Sequence, residues 1–203
     1  MRKIVILYIA SVLIMSCVGI DSKMTIKDDG SGTLLLSYRV SQLVADLGTT
    51  SSEKGIVPLP LAKADFERSL QSTQGKVRLT KFERTENEKD ISINVELSFD
   101  SLDAIAQVDA FHDAELKLSK DGTRHTFSQL IARAPAQPVT EDSLRMIDAF
   151  FDGYALTFVI EAPQPIQEFT LGSLSGDKKV LTYTTSIKDV VRTKSDLVLS
   201  AGW

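Results

Sequence analysis

The sequence predicts an α+β fold in which an antiparallel sheet built from hairpins has helices packed on one of its faces. Apolar and polar residues alternate with a period of two in several segments, most clearly over residues 90–99, as in strands with one buried face. Short glycine-containing turns separate neighbouring strands, which favours antiparallel pairing. Segments with helical spacing of apolar residues lie between these hairpins, and this order is typical of α+β domains.

The first half of the chain predicts two hairpins. The first has strands at residues 20–27 and 33–40 around a turn at 28–32, whose two glycines can adopt a positive φ. The second has strands at residues 76–86 and 90–99. The elements predicted between the hairpins are a short helix at 41–48, a polar loop at 49–61 and a helix at 62–73. The loop is the expected rim of any binding site.

The second half continues with helices and strands in alternation. The predicted helices are at residues 100–111, at 141–152 after the capping residue Thr140, and as a short turn at 187–191. The predicted strands are at 115–118, 124–132, 154–161, 167–171, 180–184 and 196–203. A proline-containing linker at 134–138 separates the two groups of elements, and a subdivision near 134–140 is an alternative to a single domain over residues 17–203.

The start of the chain has the parts of a bacterial lipoprotein signal. Arg2 and Lys3 precede an apolar run of about 12 residues, which is too short to cross a membrane. Ile14-Met15-Ser16-Cys17 resembles the lipobox of bacterial lipoproteins, in a relaxed form found in spirochaetes and some other bacteria. The resemblance implies that residues 1–16 are removed and that Cys17 carries a diacylglycerol. Cys17 is also the only cysteine in the chain, which excludes a disulfide framework.

Composition excludes several classes of function. The chain has 23 Lys and Arg against 27 Asp and Glu, a net charge of −4 that becomes −6 once Arg2 and Lys3 are removed. This mild acidity argues against nucleic acid as a partner and against a polybasic contact with anionic lipid. No second apolar run long enough for a transmembrane helix follows the signal.

The sequence offers no set of residues for catalysis, a cofactor or a metal ion. His112 and Glu115 have helical spacing with Asp109 nearby, but His125 lies on another predicted element, and a zinc site needs three or four converging ligands. Gly30 and Gly32 lack the third glycine and the following helix of a phosphate loop. With Cys17 assigned to lipid, no nucleophile remains, and we expect a non-enzymatic protein without a metal or cofactor.

The adjacent aromatic residues Phe150 and Phe151 cannot both face the same direction on a helix. One of them could face a pocket or a partner while the other packs on the sheet. The alternative is that both are buried between the layers.

The residues of the first half resemble the opening of LppM-type bacterial lipoproteins. The resemblance includes Cys17, the first strand, the turn at 29–32, the apolar strand at 34–40 and the later segment at 99–110. It implies an envelope-anchored α+β domain for which lipid or glycolipid binding is suspected. No binding residue is transferred from that family.

Two functions are compatible with the sequence. The first is a membrane-anchored, non-enzymatic binding module at the surface of the cell envelope, for lipid, another apolar ligand or an envelope protein. The second is a structural or surface-interaction lipoprotein, such as an assembly factor or antigen, without a ligand pocket. A closed apolar cavity of several hundred Å³ favours the first, and a filled core with an exposed apolar patch favours the second. Val18 and Gly19 carry no acidic retention signal, which favours the outer membrane if the cell has one.

Overall fold

The computed structural model describes residues 18–42, 60–137, 139–151 and 154–203, which form two β-sheets and four short α-helices. The strands are β1 (Val18–Ile26), β2 (Gly32–Ser41), β3 (Val77–Glu86), β4 (Asp90–Phe99), β5 (Lys117–Asp121), β6 (Arg124–Ala132), β7 (Ala155–Glu161), β8 (Glu168–Phe169), β9 (Ser173–Leu174), β10 (Val180–Ser186) and β11 (Leu197–Gly202). The helices are α1 (Lys63–Ser69), α2 (Leu102–Ala106), α3 (Glu141–Phe151) and α4 (Ile187–Arg192), with 3₁₀ turns at Gln71–Thr73 and Asp109–Ala114.

The predicted α+β class is confirmed, and the structure adds a second sheet. The larger sheet has seven strands in the order β3-β4-β2-β1-β7-β10-β9, and the smaller has four in the order β5-β6-β11-β8. The paired strands run antiparallel except β1 and β7, which are parallel. Both sheets contain strands from each side of residues 134–140.

The element boundaries follow the local patterns closely. The strands predicted at 90–99 and 124–132 are β4 and β6 without change, and the hairpin turn at residues 28–32 is closed by a bond from the Ser31 amide to Asp29 Oδ1 (2.9 Å). The helix predicted at 62–73 divides into α1 and a 3₁₀ turn, and the one predicted at 100–111 becomes α2 and a second 3₁₀ turn. In both segments the backbone changes from i→i+4 to i→i+3 hydrogen bonds, a common ending for short helices. The two-residue strand β9 was not predicted.

One face of the larger sheet forms the core, and the opposite face is open. Alternate residues of β2 and β4 are buried, while Leu35, Ser37 and the other intervening residues are partly or fully exposed. Each helix contributes at least one buried side chain to the same core cluster as the buried sheet residues, namely Phe66, Ile105, Ile147 and Ile187. Phe66 of α1, for example, packs edge-on against Phe82 of β3 with ring centroids 5.8 Å apart. The helices therefore cover the buried face, as the amphipathic patterns indicate.

Polar groups inside the core have partners. Tyr38 is 1% exposed, and its hydroxyl donates a hydrogen bond to the Pro60 carbonyl. Burial raises the pKa of this phenol above its ordinary value, and the Asp65 carboxylate raises it further, so Tyr38 stays a neutral donor. Within the described part of the chain, no buried side-chain nitrogen or oxygen lacks a hydrogen-bond partner.

The strand register shows which end of the strands in the larger sheet lies next to Cys17. β1 begins at Val18, Ile20 pairs with Leu156 near the start of β7, and Ala155 pairs with Ser186 at the end of β10. The start of β1 and the end of β10, where the chain continues into α4, therefore lie at the same end of the strands. Cys17 itself lies outside the described residues, as do residues 43–48 of the helix predicted at 41–48 and residues 49–59 of the loop predicted at 49–61.

Candidate functional site

A pocket of about 440 Å³ lies between the linker that follows β6 and the segment that joins α4 to β11. Its lining residues are Pro135, Val139, Val191, Arg192, Thr193 and Lys194. Val139 and Val191 are partly buried and pack against the core, whereas Arg192 and Lys194 are exposed. The pocket is thus an open cleft with an apolar wall and a cationic rim, and not the closed cavity that would favour ligand binding most clearly.

Strand pairing brings the two sides of this pocket together. Ala132 at the end of β6 pairs with Leu197 at the start of β11, so the segments after one and before the other run side by side. The Ala134 amide then donates a hydrogen bond to Asp196 Oδ1 (2.8 Å), which fixes the linker against the second segment. Pro135 restricts the backbone beyond this bond. This bond and the strand pairing therefore hold the start of the linker next to the segment before β11.

The ends of two helices complete the pocket. Thr140 caps α3 by accepting a hydrogen bond from the Ser143 amide (3.2 Å), as the sequence predicts. Ser186 caps α4 in the same way through the Asp189 amide (3.1 Å), which leaves Arg192 in the last turn of that helix. Both caps satisfy amides that a helix leaves without a partner at its start. The Thr140 cap follows Val139 directly, whereas Val191 lies at the other end of α4, where the Thr193 amide donates to the Val190 carbonyl.

Within the described part of the chain, the charges at the rim have no neutralising partner. The side chains of Arg192 and Lys194 form no hydrogen bond or ion pair there. The nearest acidic residues in sequence, Asp189 and Asp196, are engaged instead by the Ser186 hydroxyl (2.7 Å) and the Ala134 amide (2.8 Å). The rim therefore presents two positive charges beside an apolar wall.

A second, smaller depression of about 180 Å³ lies on the open face of the larger sheet. It is lined by Asp21, Ser22, Lys23, Leu35, Ser37, Thr157 and Val159. Lys23 bonds Glu161 (2.7 Å) beside it, and this bond lowers the pKa of the Glu161 carboxyl below its ordinary value. Ser37 likewise donates to Asn94 Oδ1 (2.5 Å). Lys23 and Ser37 therefore already have partners next to the depression.

Of the candidate site residues selected from the sequence, none that the structure describes lines this pocket. Cys17 and the side chains of His112, Phe150 and Phe151 lie outside the described residues, so the lipidation site and the aromatic hypothesis stay predictions. His125 stacks on Trp203 with centroids 6.2 Å apart, in contact with the C-terminal strand. Within the ranges that the structure describes, no group of three or more potential metal ligands occurs.

The pocket residues were missed because each alone is unremarkable. The available signal was the order apolar, cation, polar, cation at Val191, Arg192, Thr193 and Lys194, opposite a proline-rich linker. What the sequence does not reveal is that the two segments are neighbours.

The comparisons with known proteins bear on the fold. No family model and no curated protein sequence matches the chain. Among solved structures, the fold is similar to the NMR structure of the folded domain of LppM from Mycobacterium tuberculosis, with a TM-score of 0.52 and 12% identity. The match covers 93% of this chain and 90% of that domain. The LppM-like fold implied by the sequence resemblance is therefore found over nearly the whole chain.

One further observation concerns membrane segments. None of the helices within the described ranges has both the length and the apolar character needed to span a bilayer.

Proposed function

We propose that this chain is a bacterial lipoprotein held at the cell envelope through Cys17, where it acts as a non-enzymatic binding module for lipid or another apolar ligand. The observation that supports ligand binding is the pocket at Pro135, Val139 and Val191. Its volume of about 440 Å³ is comparable with sites that hold small ligands. A largely apolar wall beside polar groups is also the usual composition of such sites.

The position of the first strand supports a function close to the membrane surface. β1 begins at Val18, directly after the proposed lipidated residue, so no long tether separates the domain from the bilayer. Acyl chains contribute about 0.8 kcal/mol for each buried CH₂ group, and two or three chains give stable anchoring. The absence of an acidic residue at Val18 and Gly19 favours the outer membrane if the cell has one.

The alternative is a structural or surface-interaction lipoprotein without a ligand. It would be favoured by one contiguous apolar patch, but the exposed large apolar residues in the described ranges, Leu35, Phe169 and Val198, lie on separate surfaces. Leu35 is on the open face of the larger sheet. Phe169 pairs with Ala201 and shares its face of the smaller sheet, whereas Val198 points to the other face. The pocket therefore favours the binding module.

Two measurements on full-length protein purified from bacterial membranes test the proposal. Native mass spectrometry should find non-covalently bound lipid in the wild-type protein and much less in Val191→Asp, which places a charge in the apolar wall. Val198→Asp is the matched control, because Val198 is 39% exposed and away from the pocket. Cys17→Ser should abolish palmitate incorporation and membrane association. Retention of palmitate label in Cys17→Ser, or the absence of bound lipid in wild type, would contradict the proposal.

A further inference from the structure

Arg192 differs from the other described arginines in having no partner. Each of the seven others contacts a carboxylate or an aromatic ring. Lys194, two residues further on, also has no ion pair within the described residues. Both cations line the same pocket as the apolar residues Val139 and Val191. A guanidinium and an ammonium group held together beside an apolar wall are a recognition pattern for an anion with an apolar tail.

We infer that the pocket selects an anionic lipid, with the phosphate or carboxylate of the headgroup at Arg192 and Lys194 and the acyl chain along Pro135, Val139 and Val191. This inference depends on the proposed function and adds the charge of the ligand. The planar guanidinium can bond two oxygens of a phosphate or carboxylate at once, and the ammonium of Lys194 adds a second charge. Thr193 contributes little, since its hydroxyl donates to the Ser195 carbonyl (2.6 Å).

Helix stability accounts for only part of this arrangement. A cation in the last turn of α4 interacts favourably with the C-terminal carbonyls, which gives Arg192 a local structural role. Lys194 lies beyond the end of α4, however, and gains nothing comparable. The acidic residues on either side do not neutralise the two cations, because Asp189 bonds the capping residue Ser186 at the start of α4 and Asp196 bonds the Ala134 amide. A ligand anion explains both cations together.

The position of the pocket relative to Cys17 makes the anchoring membrane the source of the lipid. Ile20 is three residues from Cys17, two strand spacings of about 4.8 Å separate β1 from β10, and α4 adds six residues at about 1.5 Å each. With about 3.5 Å for each extended residue before Ile20 and for the step from Thr185 to Ser186, the Arg192 backbone lies at most about 33 Å from Cys17. Its headgroup site is thus within a membrane thickness of the anchor.

Photo-crosslinking of full-length protein in phosphatidylcholine nanodiscs tests the inference. Two probes carry the same diazirine-bearing acyl chain, one as phosphatidylglycerol, which is anionic, and one as phosphatidylcholine, which is zwitterionic. Labelled peptides are located by mass spectrometry. The variant is Arg192→Gln with Lys194→Gln. The matched control is Lys76→Gln with Lys120→Gln, which changes the net charge equally at exposed lysines away from the pocket.

The expected result is labelling of peptides that contain residues 134–140 and 190–196, mainly by the anionic probe. In the pocket variant, this labelling should fall about tenfold, equivalent to about 1.4 kcal/mol, while the control variant retains it. Salt at 1 M should weaken labelling by the anionic probe alone. Equal labelling by both probes, or an equal loss in both variants, would overturn the inference but leave a lipid pocket. No labelling of these peptides by either probe would overturn the proposed function as well.

Discussion

Substitution of Gly32 by alanine should destabilise the domain strongly because the site has no room for a Cβ. Gly32 begins β2 and pairs with Ile26 on one side and Phe99 on the other. A Cβ here would lie 2.1 Å from the Thr25 carbonyl oxygen and 2.6 Å from Phe99 Cζ. Either β1 must shift against β2, or the Phe99 ring must move within a core where it is only 2% exposed.

The expected loss of folding stability depends on the kind of atom that the new Cβ would contact. Overpacking a well-filled core costs typically about 1–3 kcal/mol, and a contact with a backbone carbonyl places Gly32→Ala at the upper end, about 3 kcal/mol. For a domain of this length, each kcal/mol lowers Tm by about 2–4 °C. Thermal unfolding followed by circular dichroism should therefore show a Tm lower by about 6–12 °C.

Gly176→Ala is the matched control for this experiment. A Cβ at Gly176 has no heavy atom within 4 Å, and its backbone does not require a positive φ. Its stability should stay within about 0.5 kcal/mol of wild type, with a small gain possible from the restricted unfolded chain. If Gly32→Ala costs less than about 1 kcal/mol, or if both variants cost the same, the packing argument at β2 is wrong.

Two further predictions concern single polar contacts. Tyr38→Phe removes the buried donor of the Pro60 carbonyl and should cost about 1–2 kcal/mol in urea unfolding, whereas no change would mean that water replaces the hydroxyl. Glu161 has a lowered pKa in the folded state because of the Lys23 hydrogen bond. The contribution of Glu161 to folding stability is therefore present above the pKa of this residue in the unfolded chain. It is lost as the pH falls through the pKa of Glu161 in the folded protein. Both side chains are more than one third exposed, so we expect at most about 0.5 kcal/mol. Glu161→Gln should remove this part of the acid dependence of stability, which lies below the ordinary pKa of a glutamate. If the stability of Glu161→Gln depends on pH in the same way as that of the wild type, this prediction is wrong.

Local patterns in the sequence were sufficient for most of the elements. The alternation over β4 and the serine before α4 are short-range features that determine which side chains a strand buries and where a helix begins. Their consequences do not depend on distant parts of the chain. The same holds for the turn at Asp29 and Gly30, where an aspartate bond and a positive φ close the first hairpin.

Pairing between distant strands could not be predicted in this way. β1 is a half-buried strand whether its second neighbour is parallel or antiparallel, so its sequence does not indicate that β7 pairs with it. The sequence also does not indicate that Ala132 pairs with Leu197, although this pairing brings the two sides of the pocket together. The linker near Pro135 and the cations after Val191 can each be recognised in the sequence. Their proximity, however, is a property of the tertiary structure.

The distribution of unpaired charge separates the two candidate surfaces. On the open face of the larger sheet, Lys23 bonds Glu161 and Ser37 bonds Asn94, so a ligand there would have to break existing contacts or accept weaker ones. At the pocket, the cationic rim has no such contacts among the described residues, and the adjacent apolar wall is only partly covered. A ligand that brings its own anion and its own apolar surface gains both interactions without displacing any protein contact. For the ligand binding that we propose, the pocket is therefore a better candidate site than the sheet face.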